Sequence, residues 1–125
     1  MKPETKSILE KARRTLAAAR RDLASDDADN AISRAYYATF HAATAALHEK
    51  GLAAKSHTGT HHLFHQEYGL TGRIDQQTSK TLSRLFQDRM NAEYTFGTTF
   101  GPKAATDAIE QAEAFVEAVA ALLST

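Results

Sequence analysis

Apolar residues recur along this chain at three- and four-residue intervals. From about Thr5 to Ala24, Ile8, Leu9, Ala12, Leu16, Ala19 and Leu23 fall on one face of a helix. Lys6, Lys11, Arg13, Arg14, Arg20 and Arg21 take the other faces. Ser25-Asp26-Asp27 then offers N-caps for a second helix, about Ala28 to Lys50, closed by Gly51 as a C′ residue. That helix carries two loaded stripes. Ile32, Ala35, Tyr36, Ala43 and Leu47 form an apolar one, and Arg34, Tyr37, His41, Thr44 and His48 a half-polar one, which predicts a central helix with neighbours on both sides.

Residues 51–58 read as a loop with Ser56 or Thr58 as the next N-cap, followed by a short helix through His61, His62, Leu63, Phe64 and His65 that ends at Gly69. Asp75 can cap a fourth helix, Gln76 to Tyr94, with Leu82, Leu85, Phe86 and Met90 as its core stripe. Gly97 to Pro102 breaks the chain, and Pro102 suits the first turn of a last helix with Ala105, Ile109, Ala112, Phe115, Val116, Val119, Leu122 and Leu123 on one face. No stretch alternates with period two, and no Asn-Gly or Asp-Gly hairpin turn occurs. The expectation is an all-α, antiparallel up-and-down bundle of four long helices plus one short one, forming a single domain over 1–125.

Composition narrows the chemistry. The absence of Cys excludes disulfides, thiolate zinc sites and cysteine nucleophiles. Lys plus Arg number 15 and Asp plus Glu 15, so the balanced chain lacks the global basic excess of a nucleic-acid-coating protein. No apolar run approaches the length of a membrane span, and the basic first 23 residues lack an apolar signal core, so a cytoplasmic location is expected. The first helix is basic, whereas the last carries Asp107, Glu110, Glu113 and Glu117 with no base after Lys103, so the two suit each other as neighbours.

His57, His61 and His65 are spaced i, i+4 and are the only candidate metal ligands. Positions 62–64 are His, Leu and Phe, so the Glu of a hydrolytic zincin is missing, and no resident metal or cofactor is expected. Gly69-Leu70-Thr71-Gly72-Arg73 lacks P-loop spacing, and Asp26, Asp27 and Asp29 read as helix-start carboxylates rather than a calcium loop. The basic stripe of the first helix reads as a solvated face or as a phosphate footprint.

The string Ser33-Arg34-Ala35-Tyr36-Tyr37-Ala38-Thr39-Phe40-His41-Ala42-Ala43, then Glu49-Lys50-Gly51-Leu52, resembles the hallmark segment of the HEPN domain family. Lys55-Ser56-His57-Thr58-Gly59, Phe64, Tyr68 and Thr71 to Asp75 resemble its second block, and Arg89, Ala92-Glu93-Tyr94 and Glu113-Ala114-Phe115 the later ones. The resemblance implies a helical bundle, commonly dimeric and often encoded beside a minimal nucleotidyltransferase in toxin–antitoxin or defence pairs. Many branches are metal-independent RNases built on an Arg-x4-6-His motif. Here the fitting residue is Arg89, but Tyr94 stands five positions on and no His follows. Tyrosine, with its ordinary pKa near 10, is a poor acid–base catalyst at neutral pH.

Arg34 and His41 satisfy the motif's spacing literally, yet seven positions on a helix separate them by about 10.5 Å along one face. They could act together only across a dimer. The resemblance, with His missing from the motif, implies a binding component of a two-component system, a homodimer with a nucleotidyltransferase partner and a nucleotide or RNA ligand, rather than an enzyme. Arg34, Tyr37, His41, Arg89, Glu93 and Tyr94 are its candidate ligand or partner contacts. The alternatives are a metal-independent endoribonuclease using Arg34, His41 or Arg89, and a His-rich metal-binding protein.

Overall fold

Amphipathic periodicity becomes five helices in the computed structural model, which describes residues 1–94 and 100–124. They are α1 (Pro3–Ala24), α2 (Ala28–Glu49), α3 (His57–Phe64), α4 (Gln76–Tyr94) and α5 (Pro102–Leu123), with a π-helical turn over His65–Gly69 continuing α3. No strand occurs among the described residues. The result is an all-α bundle of four long helices and a short one.

The start and stop signals work through backbone groups that a helix end leaves unpaired. Asp27 accepts from Asn30 N at 3.3 Å, Ser56 from Gly59 N at 2.9 Å and Asp75 from Thr78 N at 2.9 Å. Pro3 and Pro102 open α1 and α5, where a missing N–H costs nothing. Gly51, at φ +73°, takes the left-handed turn beyond α2. Ser56 rather than Thr58 caps α3, because its hydroxyl reaches Gly59 N, and this places His57 inside the helix as its first residue. The predicted break at Gly97–Pro102 falls partly outside the described residues.

α2 lies at the centre and packs on α1, α3, α4 and α5. Close approach is possible because Ala31, Ala35, Ala38, Ala42, Ala43, Ala45 and Ala46 face its neighbours with 0% exposure. Larger groups fill the remaining space: Ile32, Tyr36 and Leu47 from α2, Phe64 and Tyr68 from the short segment, Leu82 and Leu85 from α4, and Phe115, Val116 and Val119 from α5. Met90 departs from its predicted place in the α4 core stripe. It is 36% exposed, and the buried face of α4 is made instead by Ser79, Thr81, Leu82 and Leu85. The opposite charges of α1 and α5 meet as pairs, Arg13 with Glu117 at 3.3 Å and Arg20 with Glu113. Among the described residues, no helix is long and apolar enough to cross a membrane.

Candidate functional site: an arginine held over paired tyrosines

Three helices converge on one end of the α2 half-polar stripe. α2 contributes Ser33, Tyr36, Tyr37, Phe40 and His41 at spacings of three and four, α3 contributes His57 and His61 one turn apart, and α4 contributes Phe86, Arg89 and Glu93.

Tyr36 is fully buried, and its hydroxyl lies 2.7 Å from His57 Nδ1 and 2.8 Å from His61 Nε2. A phenol has one proton, so it donates to one imidazole and accepts from the N–H of the other. The two neutral rings must therefore hold complementary tautomers towards Tyr36. Phe40 stacks on His57 with centroids 4.4 Å apart, and Phe86 meets His61 edge-on at 5.0 Å.

Burial keeps this cluster uncharged. It pushes the Tyr36 pKa up, against the opposing pull of Arg89. It lowers His61 to about 4, with His57 adding to the effect. His57 is lowered by burial and then by Arg89, and His41 by burial and then by Lys11.

Arg89 supplies the cation. Its guanidinium carbon lies 5.0 Å from the Tyr37 ring centroid and 5.8 Å from that of Tyr36. Nε is held by Glu93 at 3.1 Å, and Glu93 is itself oriented by the Ser33 hydroxyl at 3.0 Å. The Arg89 side chain is only 15% exposed, so this is no loose surface pair. Its terminal amino groups, and the Tyr37 hydroxyl, have no hydrogen-bond partner among the described residues. Such a fork, fixed on one side and open on the other, suits an oxyanion.

The structure thus brings Arg89, Glu93 and Tyr37 together, with the His41 ring 6.4 Å beyond Tyr37. It does not bring Arg34 to them. Arg34 Nε binds Asp22 at 2.7 Å at the end of α1. Tyr94 is 63% exposed, one position beyond Glu93 at the end of α4, and does not pack inward. The i, i+4 histidines separate: His57 and His61 turn to Tyr36, whereas His65 Nδ1 meets Ser79 Oγ at 3.0 Å. No group of three or more His, Asp or Glu suited to a metal occurs among the described residues.

Gly69 makes room for the His65–Ser79 contact. A Cβ there would stand 2.6 Å from each of His65 Nδ1 and Ser79 Oγ. Gly69→Ala is expected to cost about 1–2 kcal/mol in urea unfolding, by displacing that pair and straining the π turn. An unchanged midpoint would refute it.

Ser33, Tyr36, His57 and His61 were not foreseen as one unit with Arg89. The half-polar α2 stripe pointed to Tyr37 and His41, but Tyr36 sits on the apolar stripe and looks like core. Its polar end matters only because α3 crosses there, a placement no local spacing encodes.

The chain matches the HEPN domain family over residues 5–122. A UPF0332 protein of Thermotoga maritima is 32% identical over 94 residues, covering 75% of this chain and 71% of its own. A UPF0332 protein of Gloeobacter violaceus is 35% identical, with 75% of each chain covered. A Methanocaldococcus jannaschii protein named "Putative toxin MJ0605" is 29% identical over 95% of this chain and 88% of its own. With a match running nearly end to end and an all-helical architecture in agreement, this chain belongs to the HEPN domain family.

Proposed function

We propose that the protein is the HEPN half of a toxin–antitoxin-like pair, that its partner is a minimal nucleotidyltransferase, and that the Arg89 fork binds the phosphate of a nucleotide or RNA. The observation that carries the reading is the fork itself, tied at Nε by Glu93, backed by two tyrosine rings and open at its terminal nitrogens. The relatives named as toxins support the two-component part.

Arg89→Ala is expected to weaken AMP binding at least ten-fold by calorimetry, because a charge-assisted bidentate contact is lost. The accompanying stability loss is about 1 kcal/mol, from the ring contacts. Equal AMP affinity in the variant would remove the phosphate assignment. For the pair, induced expression should slow growth, and co-expression of the adjoining nucleotidyltransferase reading frame should restore it.

Assembly as a two-fold homodimer follows from the family reading, two-fold dimers being the commonest closed arrangement. Light scattering at micromolar concentration should return twice the chain mass.

One observation favours a second reading, a metal-independent endoribonuclease. Although no His follows Arg89 in the sequence, His57 stands 5.9 Å, ring to ring, from the Tyr37 that Arg89 covers. The expected result in EDTA is no cleavage of single-stranded RNA. Cleavage lost in both Arg89→Ala and His57→Ala would install the enzyme instead.

A further inference from the structure

The turn between the π-helical segment and α4 is fixed by its own backbone. Leu70 N donates to His65 O at 2.8 Å, Gly72 N to Gly69 O at 3.1 Å and Ile74 N to Tyr68 O at 3.0 Å. Gly72, at φ +76°, supplies a left-handed step, and Ile74 is buried beyond it. The turn presents to solvent Leu70, which is 66% exposed, together with Thr71 and Arg73.

Arg73 is held in place without being paired. Its guanidinium carbon lies 5.1 Å from the ring centroid of Tyr68. That ring is buried, and its hydroxyl donates to Ala46 O at 2.6 Å. The carboxylates nearest in sequence are both engaged. Lys50 Nζ donates to Glu67 Oε1 at 3.2 Å and to Glu67 O at 3.3 Å, and lies 4.6 Å from the centroid of the same ring. Asp75 accepts from the N–H and the hydroxyl of Thr78, at 2.9 and 2.7 Å. Arg73 has no hydrogen-bond or ion-pair partner among the described residues.

The turn thus offers a planar cation with its donors open, backed by an aromatic ring, beside an exposed aliphatic side chain. A free inorganic anion would meet the cation and leave Leu70 in water. A peptide carboxylate with an aliphatic neighbour covers both, and its charge is complementary. The place is separate from the Arg89 fork, because Arg73 precedes α4 and Arg89 lies thirteen residues, about 20 Å, along that helix.

We infer that Leu70 and Arg73 form a docking point for an acidic, leucine-containing segment of a protein partner. The rigid turn lowers the ordering cost of the contact, and Lys50 keeps Glu67 from closing on Arg73. The inference stands independently of the Arg89 reading.

The probe is a fluorescein-labelled peptide, Glu-Leu-Asp-Glu-Leu-Asp with blocked ends, titrated by anisotropy with the full chain at low salt. Arg73→Ala should weaken its binding about five-fold and Leu70→Ser about three-fold. Arg73→Lys, which keeps the charge but not the fork, should recover less than half of the loss. Glu67→Gln, which frees Lys50, should tighten binding. Arg21→Ala should change nothing, since Arg21 lies by the start of α2, next to the Asp22–Arg34 pair, whereas Lys50 follows its end. Thermal midpoints of the Leu70 and Arg73 variants should stay within about 3 °C of the parent, both side chains being exposed.

No binding at millimolar protein, or equal binding by the parent and Arg73→Ala, would overturn the docking point. An equal loss in Arg21→Ala would overturn it as diffuse electrostatics. A hexamer of glutamate bound as tightly as the leucine peptide would overturn the role of Leu70. A six-nucleotide single-stranded RNA bound more tightly than the peptide, and released by Arg73→Ala, would overturn the assignment to a protein.

Discussion

Tyr36→Phe is expected to destabilise the protein by about 3 kcal/mol, far more than the loss of one surface hydroxyl. The Tyr36 oxygen satisfies two imidazole nitrogens, His57 Nδ1 and His61 Nε2, and both are left facing an apolar ring edge. Each stranded buried polar group costs roughly 1–3 kcal/mol, and partial relaxation of α3 recovers some of it. For a chain of this length the midpoint should fall by roughly 10 °C. The packing of the ring is unchanged, so the loss is assignable to the hydroxyl. Urea titration of the two proteins at pH 7.5 measures it, and a difference below about 1 kcal/mol would show that the imidazoles find other partners.

Acid should weaken the same cluster. An imidazole whose folded pKa is depressed contributes stability that is complete above its unfolded pKa, near 6.5, and that is lost as pH falls towards the folded value. For His61 that value is about 4, so the window runs from about pH 6.5 down to 4, where the unfolded chain binds a proton that the folded chain refuses. His57 and His41 are shifted in the same direction and add to the slope. After allowance for solvent screening of these half-buried rings, His61 accounts for about 2 kcal/mol over the window. Unfolding free energy should therefore rise with pH between 4 and 6.5 and flatten above it. Ring resonances followed by NMR should show His61 still neutral at pH 5.5, and a His61 that titrates near 6.5 would contradict the burial argument.

Most of the bundle was legible because its signals are local. Asp27, Ser56 and Asp75 cap the helices that their positions suggest, and Pro102 opens α5, since each feature depends on residues within one turn. Arg13 and Arg20 find Glu117 and Glu113 because whole-helix charge survives without knowledge of register. Residues whose role depends on which helix crosses where were harder to read. Met90 follows the core periodicity but stays partly exposed. Arg34 shares a stripe with Tyr37, yet reaches back to Asp22 across the α1 turn. His57 and His61 resemble a metal pair in spacing, and only the docking of α3 on α2 brings a phenol between them.

The alanines of α2 have a consequence for how tightly its site residues are held. Alanine has no side-chain rotamers to lose on folding, so ordering this helix costs mainly backbone entropy. Ala35, Ala38 and Ala42 surround Tyr36 and Tyr37 in sequence and set α2 against its neighbours without swivelling groups between the backbones. Thermal disorder is thereby kept to the ends of longer side chains. The two tyrosine rings on which Arg89 rests share a platform set by close helix-to-helix distance, so the guanidinium over them is held with little ordering left to do.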